Sequence, residues 1–592
     1  MANKQRNRRF LTWGIGIFLS LAALLTAASW LISIRVRPFV REQLATLVNR
    51  STEGLYHIEF STFHTNFITG TAVINDVRIY PDTQVFRQFI AEKKAPNNRY
   101  YIALKQLSVR HFHPLLMYFG KKAKIDQLLF DKPHVTMINR HFDFNDDRPP
   151  RPRKSPYDYI SALFQSLQIE KIDFKQVNFK YINENGAKPD IDSVANLNVS
   201  LNDWLIDARS ASDTSRLYLL KGIAIDLSNY RYATPDSMYF VQLDQLMFHS
   251  TTGKLNIKQL ALVPRYSTAD FARVNGYARD RFTIKLNNLE LQGMDLPAYV
   301  QRQEVRARQM AMSDGQLEVY NDNRFPKREV DRTGRFPHQL LQQIQARLSV
   351  DTIHLQAIDI RYSEFDAESG QTGTISFEKT AGTIQNVTNM PRKKAQNPFI
   401  QANLESYVMG QGRLQVGFTF DMLSPKGAFT YQGELTNLDG KTLNQITKPL
   451  GMVQVNRAEI RSLRFDVRAD EKQATGDVAF RYNDLSVALL KKESGKERLV
   501  RQGLISFLAN NLVIYSDNPS ADGKFTPAKL RYTRQPTASF FNYIWKTLFQ
   551  GVKHSIGVSE AKEQEIKQQI RLFEKMKVDR EERRWRRQQR KR

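Results

Sequence analysis

Alternation of apolar and polar residues is the feature of this chain that most restricts its fold. The alternation recurs over long stretches, such as Ala72–Tyr80, Leu255–Leu262, Phe282–Leu291 and Leu414–Phe420. A period of two is typical of strands that bury one face. Dipeptides that favour tight turns separate these stretches, for example Asn185-Gly186 and Asp522-Gly523. Helical patterns are short and few, so the sequence predicts a mainly β protein.

The chain also contains an internal repeat. Residues 156–181 align without a gap with residues 337–362, and the strand part occurs once more, 44 residues before its first full copy. The helical positions of the two full copies are Ile160, Leu163 and Leu167, and Leu341, Ile344 and Leu348. The strand positions of the extra copy are Ile125, Leu128, Phe130, Pro133, Val135 and Met137. A repeated helix and strand in one register indicates an array of similar modules.

The apolar spacing changes phase inside each strand of the repeat. Ile172 and Phe174 follow one phase, and Val177 begins the next, so the slip falls at Lys175-Gln176. A β-bulge absorbs such a slip and bends the strand while its apolar side chains stay on one surface. We therefore expect long, curled strands with an apolar concave side. Its candidate residues are Ile172, Phe174, Val177, Phe179, Tyr181, Ile353, Leu355, Ile358, Ile360 and Tyr362.

An apolar segment near the N-terminus predicts a membrane anchor. Residues Leu11–Ile34 contain no charged side chain, and a helix of that length, at about 1.5 Å per residue, exceeds the roughly 30 Å of a bilayer core. Four cations and no acid precede the segment, although basic residues also follow it. We expect a single-pass inner-membrane protein with a cytoplasmic N-terminus. The alternative is a signal peptide cleaved near Ala27–Ser29.

Charge and cysteine content restrict the possible partners and chemistry. Lys and Arg total 87 against 60 acids, a net charge of +27, which favours anionic partners, either phospholipid or nucleic acid. An exported location disfavours nucleic acid. The absence of cysteine excludes disulfides, thiolate zinc sites and cysteine nucleophiles.

Motifs for catalysis and cofactor binding are also missing from the sequence. Asp143, Asn145 and Asp147 resemble the start of a calcium loop, but Arg148 and Lys154 replace its glycine and its glutamate. The histidines form no recognisable metal-ligand set, and there is no nucleophile elbow or dinucleotide fingerprint. We expect no enzymatic activity, no metal and no cofactor.

An amphipathic helix is predicted near the C-terminus. Apolar residues recur there at helical spacing, namely Phe540, Phe541, Ile544, Trp545, Leu548 and Phe549. This pattern fits a helix that lies at a membrane interface, and equally a helix that caps an open end of the sheet. From Ala561 onward, 13 cations accompany 6 acids. That tail fits either anionic headgroups or a solvated helix.

Two ordered sets of residues resemble AsmA-like proteins. The first set is Phe67–Gly70, Ile74–Ile79 and Ile125–Val135, and the second is Gly427–Phe429, Gly433–Leu435, Pro449–Gly451, Ile460–Phe465 and Tyr482–Leu485. The basic tail after Gly557 is not part of that pattern. The resemblance implies an elongated antiparallel β-groove built of repeats. It also implies phospholipid movement between the inner and outer membranes and a role in envelope integrity.

The expected organisation has four segments. They are an anchor at residues 1–36, an N-terminal β-groove module at 37–330, a C-terminal AsmA-like module at 331–535 and a helical basic tail at 536–592. Basic, proline-containing stretches at Arg148–Pro156 and Phe325–Pro337 are expected to be exposed loops or linkers.

Alternation alone allows either an open groove or a closed sandwich. The function we expect is a periplasmic protein that holds or conducts phospholipid acyl chains. Its expected partners are membrane lipids, the inner membrane and, as a second membrane, the outer one; no protein partner is indicated. A non-enzymatic scaffold for outer-membrane protein assembly is the alternative.

Overall fold

The computed structural model describes residues 52–558 apart from positions within 67, 114–118, 147–163, 214, 327–330, 493–498 and 502–513, together with a few residues on either side. No helix among these residues is long and apolar enough to cross a bilayer. The predicted anchor at residues 11–34 and nearly all of the basic tail lie outside them.

The described strands form one mostly antiparallel sheet of 22 strands. The first eleven are β1 Tyr56–Glu59, β2 Thr62–Asn66, β3 Thr71–Pro81, β4 Asn98–Phe112, β5 Lys122–Asp131, β6 His134–Asn139, β7 Ser166–Asn183, β8 Asp190–Asp207, β9 Gly222–Ala233, β10 Tyr239–His249 and β11 Lys254–Pro264. The other eleven are β12 Arg281–Gln292, β13 Glu304–Asp322, β14 Arg347–Asp366, β15 Gln371–Thr388, β16 Phe399–Val408, β17 Gly412–Asp421, β18 Phe429–Asp439, β19 Val453–Ala469, β20 Gln473–Lys492, β21 Leu499–Arg501 and β22 Ala528–Thr533. The prediction of a mainly β fold is confirmed.

Six of the seven helices with described bounds are short and connect strands, and the seventh, α7, has 16 residues and follows β22. They are α1 Thr83–Ala91, α2 Thr268–Asn275, α3 Leu296–Arg302, α4 Pro337–Gln343, α5 Pro391–Gln396, α6 Asn444–Gly451 and α7 Phe540–Ser555. Short 3₁₀ turns lie at Asp143–Asn145, Ser210–Ser212 and Gly440–Leu443. Side-chain oxygens cap several helix starts; Asp82 accepts from two backbone amides of α1, and Ser539 accepts from the Asn542 amide.

The chain divides into two compact units. Unit 1 comprises the described residues up to Tyr232 together with Leu243–Ile257, and unit 2 comprises Ala233–Gln242 together with the described residues from Lys258 onward. The four functional segments proposed from the sequence stay a prediction.

The internal repeat corresponds to parallel pairing of neighbouring strands. β7 pairs in parallel with β5 and β6, so that Ile125 lies opposite Ile169 and Phe130 opposite Phe174. The 44-residue offset of the sequence repeat is therefore the register of this pairing. In unit 2, β13 pairs in parallel with β14 in the same manner. β13 is a further copy of the strand, which the sequence conceals because Met310 and Gly315 occupy repeat positions.

The bulge predicted at the phase slip is confirmed in both full copies. The register between β7 and β8 shifts on either side of Val177, and Gln176 has φ of 53°. The register between β14 and β15 shifts on either side of Ile358, and Ala357, the repeat equivalent of Gln176, also has φ of 53°. A left-handed backbone costs a non-glycine residue roughly 1–2 kcal/mol. At Gln176 a hydrogen bond from its amide to the Asn198 side chain, 2.9 Å long, offsets part of that cost.

One local prediction was wrong, another holds only in part, and the predicted loop Arg148–Pro156 lies outside the described residues. The predicted helix does not reach Leu348 or Leu167, since these residues lie in β14 and β7. The Asn389 side chain accepts from the Leu348 amide at 2.8 Å and donates to the Ile344 carbonyl at 3.0 Å, which holds the chain extended after α4. The stretch Phe325–Pro337 is not simply an exposed linker, because Phe336 is only 1% exposed.

A closed hydrophobic core lies in the C-terminal part of unit 2. The apolar face of β16–β20 and β22 packs against α7 and against Phe336, the residue before α4. Phe336 lies with its ring centroid 5.2 Å from that of Phe429 and 6.1 Å from that of Tyr543. Arg534 covers both Phe336 and Tyr543, and its guanidinium donates to the Ala538 carbonyl at 2.8 Å. These contacts fix α7 on the sheet.

The pH dependence of unit 2 stability follows from the buried His338. Its side chain is enclosed beside Phe420, neither ring nitrogen has a hydrogen-bond partner among the described residues, and burial lowers its pKa to about 4. The negative charges of Asp421 and Glu471 act against that shift, and burial outweighs them. Between pH 6.5 and 4 the unfolded chain binds a proton that the folded chain does not, so stability falls as the pH falls through this window. From pH 7 to pH 5 the loss should be about 2 kcal/mol.

Hydrogen exchange of β16–β20 at the two pH values measures this effect, with His338→Gln as the non-titrating comparison. The variant should lose much less protection than the natural chain on acidification. Equal losses in both proteins would show that another group is responsible.

Candidate apolar binding face

One surface of unit 1 is apolar across neighbouring strands. Residues directly opposite each other on paired strands lie on the same side of a sheet. Phe174 is opposite Val199, which is opposite Ile225, and the rows on either side are built in the same way. We call this surface the unit 1 face; its members are Leu128, Phe130, Val135, Met137, Ile172, Phe174, Val177, Phe179, Tyr181, Val194, Leu197, Val199, Leu201, Ile223, Ile225 and Leu227.

Most side chains of the unit 1 face are half-buried. Of the members of this surface, Ile172 alone is buried, at 8% exposed. The Phe130 and Phe174 rings stack with their centroids 4.5 Å apart, across two parallel strands. The bulge at Gln176 keeps Val177 and Phe179 on the side of Phe174. The sheet thus presents a continuous apolar surface in β5–β9.

The other side of the same strands is polar. Asp173 is buried, with only 3% of its surface exposed, and its carboxylate accepts hydrogen bonds of 2.5 Å from both Ser200 and Gln127. The Nζ atom of Lys171 lies 3.2 Å from Oδ1 of Asp173. Burial works against ionisation, but these partners prevail and hold the pKa of Asp173 below its usual range. The two sides of β7 therefore differ in chemistry, as the alternating sequence predicts.

Two hydrophobic clusters of described residues lie in the N-terminal strands of unit 1, beside the unit 1 face. α1 packs against Leu55 and Phe142, away from β7–β9. Side chains of β2–β5 form their own cluster around Val77 and Leu104, which Phe130 joins. The described strands belong to one sheet, and the choice between an open groove and a sheet that folds on itself into a sandwich stays a prediction.

The second set of predicted residues occupies the equivalent surface of β14. Ile353 is opposite Ile384, Ile360 opposite Phe377 and Tyr362 opposite Ile375 on β15. Ile358 is buried, and the other four predicted residues are half-buried. The Tyr362 hydroxyl donates to Glu364 at 2.6 Å, while burial raises the pKa of this tyrosine. The structure therefore groups the ten predicted residues as five on β7 in unit 1 and five on β14 in unit 2.

Sequence reasoning missed the partners of these residues on neighbouring strands. Val199 and Leu201 on β8, and Ile225 on β9, belong to the same apolar rows as the β7 residues. Their alternation is visible in the sequence, but strand pairing is not. Only the register shows that the segments share one face.

The C-terminal helix has two different apolar sides. Tyr543 and Thr547 are fully buried against the sheet, and Phe540, Ile544 and Leu548 pack at the edges of the same core. Phe541, Trp545 and Phe549 point away from that core and are exposed by 57%, 40% and 41%. The helix therefore packs through one side on the apolar face of the sheet, and the two sequence-based alternatives, an end cap and a membrane contact, stay predictions. Its exposed aromatic stripe leaves the membrane-contact prediction applicable to three of the six residues.

Elsewhere in the described part of the chain, one group of His and Asp side chains lies close enough together to hold a metal ion. His141, Asp143 and Asp146 approach one another, but all three are exposed. Asn145, which lies between the two aspartates in the sequence, donates from its side-chain amide to the Ala95 carbonyl oxygen at 3.0 Å and so stabilises the loop. A concavity of about 790 Å³ on β15–β19 is lined by both apolar and polar side chains, and Arg464 pairs there with Glu434 at 2.8 Å.

Comparison with known proteins adds no family assignment. The sequence matches no known family model, and no curated protein shows significant similarity to it. The long antiparallel sheet is the property that the chain shares with the architecture expected from the AsmA-like resemblance.

Matched truncations should distinguish the half-exposed face from the closed core. Val199→Ala removes two methyl groups from a half-buried position of unit 1, and Val467→Ala removes the same atoms from a position of unit 2 that is 0% exposed. We expect a loss of about 2–3 kcal/mol for Val467→Ala and about 1 kcal/mol or less for Val199→Ala. Hydrogen exchange within each unit measures both values separately. Equal losses would mean that Val199 is enclosed as tightly as Val467.

Proposed function

We propose that this protein holds or conducts the acyl chains of phospholipid along the apolar side of its sheet. The observation that supports the proposal best is the unit 1 face, where apolar rows cross β5–β9 and most side chains remain partly exposed. A partly exposed apolar sheet surface of this kind favours an apolar occupant. An acyl chain has the required length and chemistry.

The energetics of such an occupant are favourable. Each methylene that leaves water for an apolar surface gains roughly 0.8 kcal/mol. A chain lying across several strands meets a new apolar side chain about every 4.8 Å. Movement along the face exchanges one set of contacts for an equivalent set, so a lipid can shift without returning its tail to water. The polar headgroup would remain at the edge of the strands.

The location that we propose is the periplasm, with the chain anchored in the inner membrane. The apolar segment at residues 11–34 supplies the anchor, and the net charge of +27 suits anionic membrane surfaces. The resemblance to AsmA-like proteins supports the same location and a contribution to envelope integrity. The outer membrane is the second membrane in this proposal. We propose no catalytic step, cofactor or nucleic-acid partner.

A scaffold for outer-membrane protein assembly is the second candidate. The closed core beneath α7 favours it, because that part of unit 2 has no room for an acyl chain between helix and sheet. Gly551 illustrates the fit, since a Cβ at that position would lie 2.6 Å from Cγ2 of Val478. Any lipid path in unit 2 therefore has to stop before the strands covered by α7.

Photo-crosslinking from adjacent residues on opposite sides of β7 tests the proposal directly. A photoreactive phenylalanine analogue at Phe179 faces the apolar rows, and the same analogue at Lys180 faces the polar side. After irradiation in cells, mass spectrometry of the purified protein should find phospholipid attached at Phe179 in at least roughly tenfold excess over Lys180.

The equivalent pair Ile360 and Arg361 on β14 repeats the comparison in unit 2. Protein adducts without phospholipid at Phe179 and Ile360 would favour the scaffold. Equal lipid capture on both sides of a strand would show contact that does not depend on the apolar face.

A charge on the apolar side should obstruct lipid without unfolding the sheet. Val194 lies opposite Phe179 on the unit 1 face, whereas the neighbouring Ser193 lies opposite Lys180 on the polar side. Val194→Glu places a carboxylate in the acyl path, where its desolvation is unfavourable. We expect the amount of phospholipid that copurifies to fall severalfold for Val194→Glu and to be unchanged for Ser193→Glu. Circular dichroism checks that both variants fold; undiminished lipid in folded Val194→Glu would contradict the proposed path.

A further inference from the structure

Several loops of unit 2 meet at one end of its strands. The end of β15 lies beside the start of β16, the end of β17 beside the start of β18, and the end of β19 beside the start of β20. The register shows this, since Phe399 pairs with Asp421, and Phe429 pairs with both Phe420 and Ala469. α4 enters this end before β14, and α7 leaves it after β22. The connecting segments are therefore neighbours.

Large apolar side chains are exposed on these loops. They come from four different segments, namely Leu340 and Ile344 at 46% each, Phe399 at 42%, Leu423 at 57% and Phe541 at 57%. Direct contacts join the segments: the Ile344 carbonyl accepts from Asn389, and Asp421, opposite Phe399, accepts from the Leu423 amide at 2.9 Å. We call this end of unit 2 the rim.

The rim also carries four cations whose side chains form no ion pair with the described residues. Arg392, Lys394, Lys426 and Lys472 have no ion pair among the described residues. The nearby acids are engaged otherwise. Asp421 and Asp470 accept from turn amides, Asp351 pairs with Lys393 at 3.2 Å, and Glu471 accepts from Gln339 at 2.8 Å. With Lys393, these charged side chains are five cations and four acids, a net charge of +1, and the four cations named first are left without an ion pair.

Two described turns at the opposite ends of the same strands differ from the rim in their apolar exposure. The turns Ala367–Gly370 and Met409–Gln411 expose no large apolar side chain. Apolar side chains interspersed with free cations are typical of protein surfaces that lie on anionic bilayers, where the apolar groups enter the interface and the cations meet phosphates. A groove for a peptide or a second subunit would instead gather its apolar residues into one pocket.

We infer that the rim docks on the surface of an anionic phospholipid bilayer. Leu423 and Phe541 would enter the headgroup region, and Lys394, Lys426 and Lys472 would contact phosphates. This inference rests on the proposed work at phospholipid membranes and adds the part of the chain that touches one. The core behind the rim is closed by α7, so the rim binds a membrane surface rather than the headgroup of a lipid carried beneath it.

A fluorescent label tests the inference in the full chain. The protein has no cysteine, so Leu423→Cys provides a single site for an environment-sensitive dye, and Glu368→Cys in the opposite turn is the matched control. The full-length protein is held in uncharged phosphatidylcholine nanodiscs and mixed with vesicles. With vesicles containing phosphatidylglycerol, the label at residue 423 should shift to shorter wavelength, and the label at residue 368 should not change.

Charge reversal then separates a specific rim from general attraction. Lys394→Glu with Lys426→Glu should weaken vesicle binding by roughly tenfold or more, since each cation near an anionic surface contributes substantially. Lys441→Glu with Lys529→Glu changes the net charge equally at positions away from the rim and should weaken binding much less. Equal weakening by both pairs, or no shift at residue 423, would overturn the inference.

Two further outcomes would also overturn it. A shift at residue 423 that grows with protein concentration without vesicles would identify a second copy as the occupant. A shift produced equally by pure phosphatidylcholine vesicles would remove the role of the cations. Because the crosslink at Phe179 is measured separately in unit 1, failure of the rim leaves the acyl-chain proposal standing, and failure of that crosslink leaves the rim testable.

Discussion

A sheet with one apolar side has to place that side against something other than water, and this constraint governs the whole structure. Unit 2 satisfies it within the protein by laying α7 and Phe336 over β16–β20 and β22. In the described residues of unit 1, the apolar rows of β5–β9 stay partly exposed. The same sequence pattern thus has two physical outcomes, and the difference lies in what covers it.

The bulges make such a face possible. β7 has 18 residues, and its apolar pattern changes phase partway along the strand. Without a bulge, the apolar residues after that change would point to the opposite face of the sheet. Gln176 and Ala357 take left-handed backbone conformations at equivalent repeat positions, and this absorbs the change. The bend that accompanies a bulge is consistent with a β-groove. The parallel pairing of β5 and β6 with β7 then places copies of one pattern side by side.

Much of this was predictable because strand alternation and bulges are local. The alternation, the phase slip at Lys175-Gln176 and the 44-residue offset all appear in the sequence, and each has a direct structural counterpart. The fourth copy, β13, was not predictable in the same way, because Gly315 occupies the place where Ile358 lies on β14. In the structure Ile358 packs over Gly315, where an added Cβ would lie 2.7 Å from its Cδ1. A small residue and a large one therefore fill one space, and the pattern is visible only across the pair.

The candidate surfaces depend even more on tertiary packing. Helical spacing gave α7 one apolar side, yet the structure buries Tyr543 and Thr547 and leaves Phe541, Trp545 and Phe549 outside. If both sides of the helix carried only hydrocarbon, burial of one side or of the other would differ little in free energy. Here the aromatic contacts of Tyr543 with Phe336 and the hydrogen bonds of Arg534 select the buried side. The first turn of α7 is fixed on the core by these contacts. Phe541 therefore stays exposed at the strand ends and forms part of the rim. The protein covers only one side of this helix. In the proposed docking, a membrane surface would cover the other side.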